Sequence, residues 1–215
     1  MRPIETDSNL VFLSPAEYVD SDHPSIRAES ARICRGHATA AEKARAIYYA
    51  VREHLYRAAD FADLESYRAS SVLAAGHGYC VAKASLFAAL CRAAGLPARL
   101  LFADVSNHLA TPRIEARMGT NVFAWHGYNE VLVDGRWLKV SPTFNAALCR
   151  KLGVAPLEFD GVSDALLQAF DQAGRSFMRY DTMHGVFHDV PARFLAAEME
   201  RLYPAACAAI RAGEL

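Results

Sequence analysis

No run of about twenty uninterrupted apolar residues occurs in this chain, so no membrane-spanning helix is expected. Residues 1–15 lack the basic start, apolar run and small-residue cleavage site of a secretory leader, and the expected compartment is the cytoplasm. No block of like charge stands out against a formal net charge of −1, which argues against nucleic acid or an anionic membrane as partner. Cysteine is sparse. The five residues Cys34, Cys80, Cys91, Cys149 and Cys207 are scattered and form no CxxC pair, which excludes a disulfide framework and a zinc knuckle and leaves reduced thiols as the expectation. No internal repeat or low-complexity tract appears. Ser141 lacks a Gly-x-Ser-x-Gly elbow, so a serine-hydrolase nucleophile is set aside.

What is present is apolar bulk, since 53% of 215 residues are hydrophobic, enough to bury one sizeable core. The chain is organised around Gly76-His77-Gly78-Tyr79-Cys80 and the residues after it. From Cys80 to Ala94 only Lys83 and Arg92 carry charge, so a helix apolar nearly all round is expected there, stopped by Gly95 and Pro97. Cys80 falls in its first turn. Unpaired N–H groups and the helix dipole favour a thiolate at that place, which is how a cysteine becomes a nucleophile. His77 and Tyr79 flank it and are expected to border a groove or to lie in an exposed loop.

Before this helix, residues 1–18 read as an edge strand or an ordered arm. Pro24 opens a helix displaying Ile26, Ile33 and Cys34 and ending near Gly36, and Thr39-Ala40-Ala41-Glu42 reads as a capping box for a second helix with a stripe of Ile47, Tyr48, Val51 and Leu55. Tyr48, Tyr49, Tyr56 and Tyr67 are expected as core or boundary residues. After it, residues 98–105 read as a buried strand and residues 107–120 as a polar loop. The dipeptide Asp134-Gly135 demands positive φ at both centres of a type I′ turn, so an antiparallel hairpin is expected from residues 121–133 and 136–140. Its register would place Val133 opposite Arg136, Leu132 opposite Trp137, Tyr128 opposite Ser141, and His126 opposite Thr143 if pairing runs that far, with Pro142 ending the ladder nearby. Helical segments are expected around residues 164–173 and 191–203.

His126 lies within that hairpin, an expensive place for a titratable ring without a polar partner. A thiol nucleophile needs a base within hydrogen-bond reach and a third group to fix the imidazole tautomer. Cys80 and His126 have the right types, and the register turns Ser141 toward the face that carries His126. His184 and His188, spaced i, i+4 near Asp181 and Asp189, would suit a divalent metal on a helix, but Gly185 and Pro191 oppose that helix, so solvated loop residues are expected and no metal.

The segments GHGYCVAKASLFAALCRAAGLPARLLFADV (residues 76–105) and WHGYNEVLVDGRWLKVSPTFN (residues 125–145) resemble, in order, the nucleophile helix and the histidine strand of the transglutaminase-like superfamily. A weaker likeness reaches back to residue 24. The resemblance implies an α+β, papain-like transglutaminase core, with the nucleophile on a central helix packed on an antiparallel sheet, over about residues 24–145. N-terminal helices and a helical C-terminal cap, residues 146–215, would complete a single domain of residues 1–215. It implies Cys80 as nucleophile, His126 as base and the Val-Asp-Pro-Thr position as third residue. Here that run is Val140-Ser141-Pro142-Thr143. Serine accepts an imidazole N–H but brings no charge to imidazolium, so Asn145 is a rival, with Asp160 and Asp164 as further candidates. The implied activity is cysteine-dependent acyl transfer or hydrolysis at an amide or peptide bond of a peptide, protein or small amide, without a cofactor. The alternative is a catalytically impaired domain that serves in binding or as a scaffold.

Overall fold

The computed structural model describes residues 9–108, 115–116, 118–167 and 169–214. Its centre is the helix α4, Cys80–Ala93, in which every residue from Val81 to Arg92 is buried. Both buried charges on it are satisfied by main-chain oxygens. Lys83 Nζ donates to the carbonyls of Arg52, His54 and Thr143 at 2.9, 2.8 and 2.7 Å, one acceptor for each N–H of an ammonium, although burial pulls its pKa down to about 7. Arg92 donates in the same way to the carbonyls of Ala98, Ser14 and His188.

Three helices surround one side of α4: α1 (Pro24–Ile33), α2 (Ala40–Glu53) and α3 (Ala69–Ala75). Thr39 and Glu42 form the expected capping box at the start of α2. Ile47, Tyr48 and Val51 are buried as the stripe requires, but Leu55 is not part of it. It lies beyond the helix in the short strand β1 (Leu55–Tyr56), exposed to solvent, where β1 pairs in parallel with β2 (His77–Gly78). Leu10–Leu13 forms a 3-10 turn rather than a strand, and residues 1–8 lie outside the described residues.

The other side of α4 is covered by a four-stranded antiparallel sheet of order β5-β4-β3-β6, built from β3 (Ala98–Asn107), β4 (Val122–Val133), β5 (Arg136–Val140) and β6 (Met178–Phe187). The α+β arrangement, a central helix on an antiparallel sheet, is the one expected. Asp134 and Gly135 both have positive φ, 48° and 79°, and the hairpin pairs Val133 with Arg136 and Leu132 with Trp137. The ladder stops at Asn129 opposite Val140, one pair earlier than the expected contacts of Ser141 and Thr143. Chain after Val140 turns away because Ser141 gives its N–H to the carbonyl of Ala165 at 2.9 Å.

Residues after 145 differ most from expectation. They supply the helices α5 (Ala146–Leu152), α6 (Ala192–Leu202) and α7 (Pro204–Arg211), but the described residues of 164–173 form no helix, and single bridges join Ala165 to Val140 and Phe170 to Ser176. They also supply β6, which joins the core sheet beside β3. Apolar positions near Asp164 lie on a chain whose hydrogen bonds go to Lys139 and Ser141, so tertiary pairing outweighs the local pattern.

Candidate active site

Helix α4 and strand β4 approach unusually closely where the site lies. Gly127 makes this possible, since a Cβ there would sit 2.9 Å from the Cα of Val81 and 3.3 Å from its N. Cys80 and Val81 at the start of the helix are thereby set against His126 and Gly127 on the strand. Gly78 plays a similar part on the approach, where a Cβ would meet Ala82 Cβ at 2.9 Å.

Cys80 is half-buried and opens α4 behind Tyr79, whose side chain makes no capping bond. The dipole argument anticipated a thiol of lowered pKa. Burial wins instead and pushes the Cys80 thiol up to about 11, while main-chain N–H groups at Gly127, Val81 and Cys80 itself pull the other way. His126 is 5% exposed, and burial takes its pKa down to about 4. At neutral pH the resting pair is therefore thiol and neutral imidazole, not thiolate and imidazolium.

Ser141 Oγ stands 3.4 Å from His126 Nε2, a long contact, and 2.9 Å from Thr143 Oγ1. An Nε2–H tautomer pointing to Ser141 leaves Nδ1 with its lone pair free. Tyr128 and Tyr180 enclose the ring, with centroids 6.3 and 6.0 Å away. Asn145 is placed elsewhere: its Oδ1 accepts the N–H of Tyr56 at 3.3 Å. Asp160 accepts the N–H groups of Val162 and Ser163, and Asp164 that of Lys139, so their bonds lie away from the imidazole.

Several residues that shape the site carry no motif. Between the pairs Ala103–His126 and Val105–Phe123, β4 advances one residue more than β3, a bulge at Ala124 and Trp125. Trp125 takes φ of 59°, a costly conformation for a bulky residue, immediately before His126. Side chains hold the bulge in place. Asp104 Oδ1 accepts the N–H of Trp125 at 3.1 Å, and Tyr203 Oη accepts that of Ala124 at 2.8 Å while donating to the carbonyl of Val122. His184 Nε2 meets the same Asp104 oxygen at 2.7 Å, and its ring stacks on Trp125 with centroids 4.0 Å apart.

His184 is thus a partnered strand residue rather than a solvated loop residue, and its neighbours are committed as well. Asp189 accepts the N–H groups of Tyr18 and Val19, Asp181 pairs with Ser106 and Arg179, and His188 lies against Arg92. Among the described residues no group of three His, Cys, Asp or Glu side chains is placed to hold a metal. All five cysteines are free thiols.

Cys80 and His126 open into one cavity of about 330 Å³. Tyr56 and Tyr79 line it, as do Phe144 and Leu148 from one side and Met199 and Ile210 from the other. Among the described residues His77 is absent from the lining, so of the two flanking residues only Tyr79 borders the site.

A helix-start cysteine and a strand histidine sharing a cavity, with the helix laid across an antiparallel sheet, define a papain-like α+β architecture. The profile of the transglutaminase-like superfamily matches residues 27–142, more than half of the chain, and the chain belongs to that superfamily. No curated protein matches it. Among solved structures it is similar to a candidate cysteine protease from Cytophaga hutchinsonii, at 19% identity and TM-score 0.51 over 87% of this chain. A candidate protease from Parabacteroides distasonis matches at 18% identity and TM-score 0.43 over 62% of the chain, and a TGase at 15% and 0.36 over 66%. This chain spans 58%, 26% and 33% of those three structures. Among the described residues no helix is long and apolar enough to cross a membrane.

Proposed function

We propose that this protein is a cysteine-dependent acyltransferase or hydrolase acting on an amide or peptide bond. The observation that carries the reading is that Cys80 and His126 line one cavity, with His126 Nε2 3.4 Å from Ser141 Oγ. The single domain of residues 1–215 would be the working unit.

Chemistry in this site starts from neutral partners. Cys80 Sγ attacks the carbonyl carbon as its proton passes to His126 Nδ1, and the imidazolium then protonates the departing amine. A thioester remains, which water or a second amine resolves through the same base. Main-chain N–H groups at the start of α4 and at Gly127 are the candidates for stabilising the oxyanion. Ser141 positions the ring as an acceptor for Nε2–H, and through it Thr143. Without a carboxylate there, imidazolium gains little electrostatic support, and a slow enzyme is expected.

That same lack of a carboxylate beside His126 favours a second reading, a domain of this family that binds or scaffolds without turnover. Incubation with a panel of primary amides, from glutamine-containing peptide to octanamide, and hydroxylamine, with product detected by mass spectrometry, separates the two. Hydroxamate or free acid formed by the native protein and abolished in Cys80→Ala supports the enzyme. Equal traces in both support the binder.

A further inference from the structure

We propose that the acyl half of the substrate is an uncharged, largely apolar group of medium size, held in the cavity beside Cys80; this rests on Cys80 being the nucleophile. Whatever is attached to the attacked carbonyl must lie in the space onto which the sulfur opens. That space, about 330 Å³, is of the size of a small-molecule site. Among the described residues no Asp, Glu, Lys or Arg lines it. Apart from Cys80 and His126, its polar lining residues are Asn107 and the tyrosines 56, 79 and 203, and the hydroxyl of Tyr203 is committed to the bulge of β4.

The walls of the cavity are aliphatic at Leu148 on α5, Met199 on α6 and Ile210 on α7, and aromatic at Phe61, Phe123 and Phe144. The segment after residue 145 thereby supplies the aliphatic part of the acyl wall. A charged acyl group would lose its hydration against these walls with no opposite charge among the described lining residues to replace it. An alkyl chain gains with each methylene, by up to about fourfold in affinity for a fully buried one.

The step balances without a co-reactant other than water. The bond from Sγ to the acyl carbon forms, the bond from that carbon to the leaving nitrogen breaks, and the thiol proton leaves with the amine by way of His126. Water then adds to the thioester, the acyl group departs as a carboxylic acid, and the sulfur recovers its proton.

Chloromethyl ketones R–CO–CH2Cl test this, because the alkyl group R occupies the acyl side while Cys80 displaces chloride. Labelling of Cys80 in the full chain, mapped by mass spectrometry, is expected at least tenfold faster for R of seven carbons than for methyl, and slower again for fifteen carbons. A seven-carbon equivalent ending in carboxylate should label no faster than methyl. Leu148→Trp, at a half-buried wall position, should slow the seven-carbon reagent at least fivefold more than it slows methyl; Ile210→Trp serves the same purpose if the first variant does not fold. Equal rates for methyl and heptyl, or labelling by the carboxylate-ended reagent as fast as by heptyl, overturn the assignment. If Cys80 labels with methyl at a rate that depends on His126, the nucleophile reading survives that failure. If no reagent labels Cys80, both fall.

Discussion

Replacing Ser141 by aspartate places a carboxylate where the sequence has left an uncharged acceptor, and the structure sets the size of the effect. Ser141 Oγ is 3.4 Å from His126 Nε2, and the longer aspartate side chain closes that gap to a normal charge-assisted bond. Unit charges about 4 Å apart at an effective dielectric of 20 interact by about 4 kcal/mol, and each tenfold change in protonation is worth about 1.36 kcal/mol. The pKa of His126, about 4 in the native protein, should therefore rise by roughly three pH units. Cys80 gains a cation nearby, its own pKa falls from about 11, and its alkylation rate at pH 7 should rise at least tenfold. The carboxylate is fully enclosed, because Ser141 is 1% exposed, so several kcal/mol of desolvation opposes the gain and the variant should melt at lower temperature. Histidine titration followed by NMR, together with iodoacetamide labelling mapped to Cys80, reads both effects. An unmoved His126 titration in a folded Ser141→Asp protein would refute the claim that Ser141 faces Nε2 of the imidazole.

Gly127→Ala should be costly, by about 1–3 kcal/mol on urea unfolding, because the new methyl meets main-chain atoms of Val81 that cannot rotate aside. An unchanged midpoint would show that helix and strand are less tightly apposed than described. Asp104→Ala removes the acceptor for the Trp125 N–H and the partner of His184, and should cost about 1–3 kcal/mol and slow Cys80 labelling by letting the bulge relax. Asp104→Asn keeps an acceptor and should recover most of the labelling rate. His126 adds a pH dependence of known sign. Its folded pKa lies below the ordinary 6.5, so the unfolded chain binds more protons between pH 6.5 and 4, and stability falls as pH drops through that window. The difference amounts to about 3 kcal/mol, and His126→Gln should lack it in melts compared over the same range.

Much of this arrangement is legible in the sequence because local rules and burial agree. The apolar run of α4, the capping box at Thr39 and the Asp134-Gly135 turn each specify their element, and each is found. Cys80 and His126 could be singled out from their places on a helix start and a strand. What was hidden depended on contacts distant in the chain. Trp125 gives no hint of positive φ, since a bulky residue adopts it only when Asp104, Tyr203 and His184 hold the bulge from other elements. Asp104 itself was a missed signal, a lone carboxylate in the apolar run ARLLFADV. Strand β6 escaped notice because it is a mostly exposed edge strand with two register shifts against β3, so no apolar alternation marks it. The thiol pKa went the other way from the dipole argument because enclosure of Cys80 outweighs the field of a helix start.

The central claim is that Cys80 and His126 act as one unit, and the dependence of Cys80 alkylation on pH in the native protein and in His126→Gln tests it most directly. In the native protein Cys80 should label before the buried Cys91, Cys149 and Cys207, with a rate that climbs as His126 loses its proton near pH 4 and levels off well below pH 11. His126→Gln should abolish that early rise and leave a slow rate that grows with pH toward the thiol's own value of about 11. Superimposable profiles for the two proteins, both folded, would contradict the account.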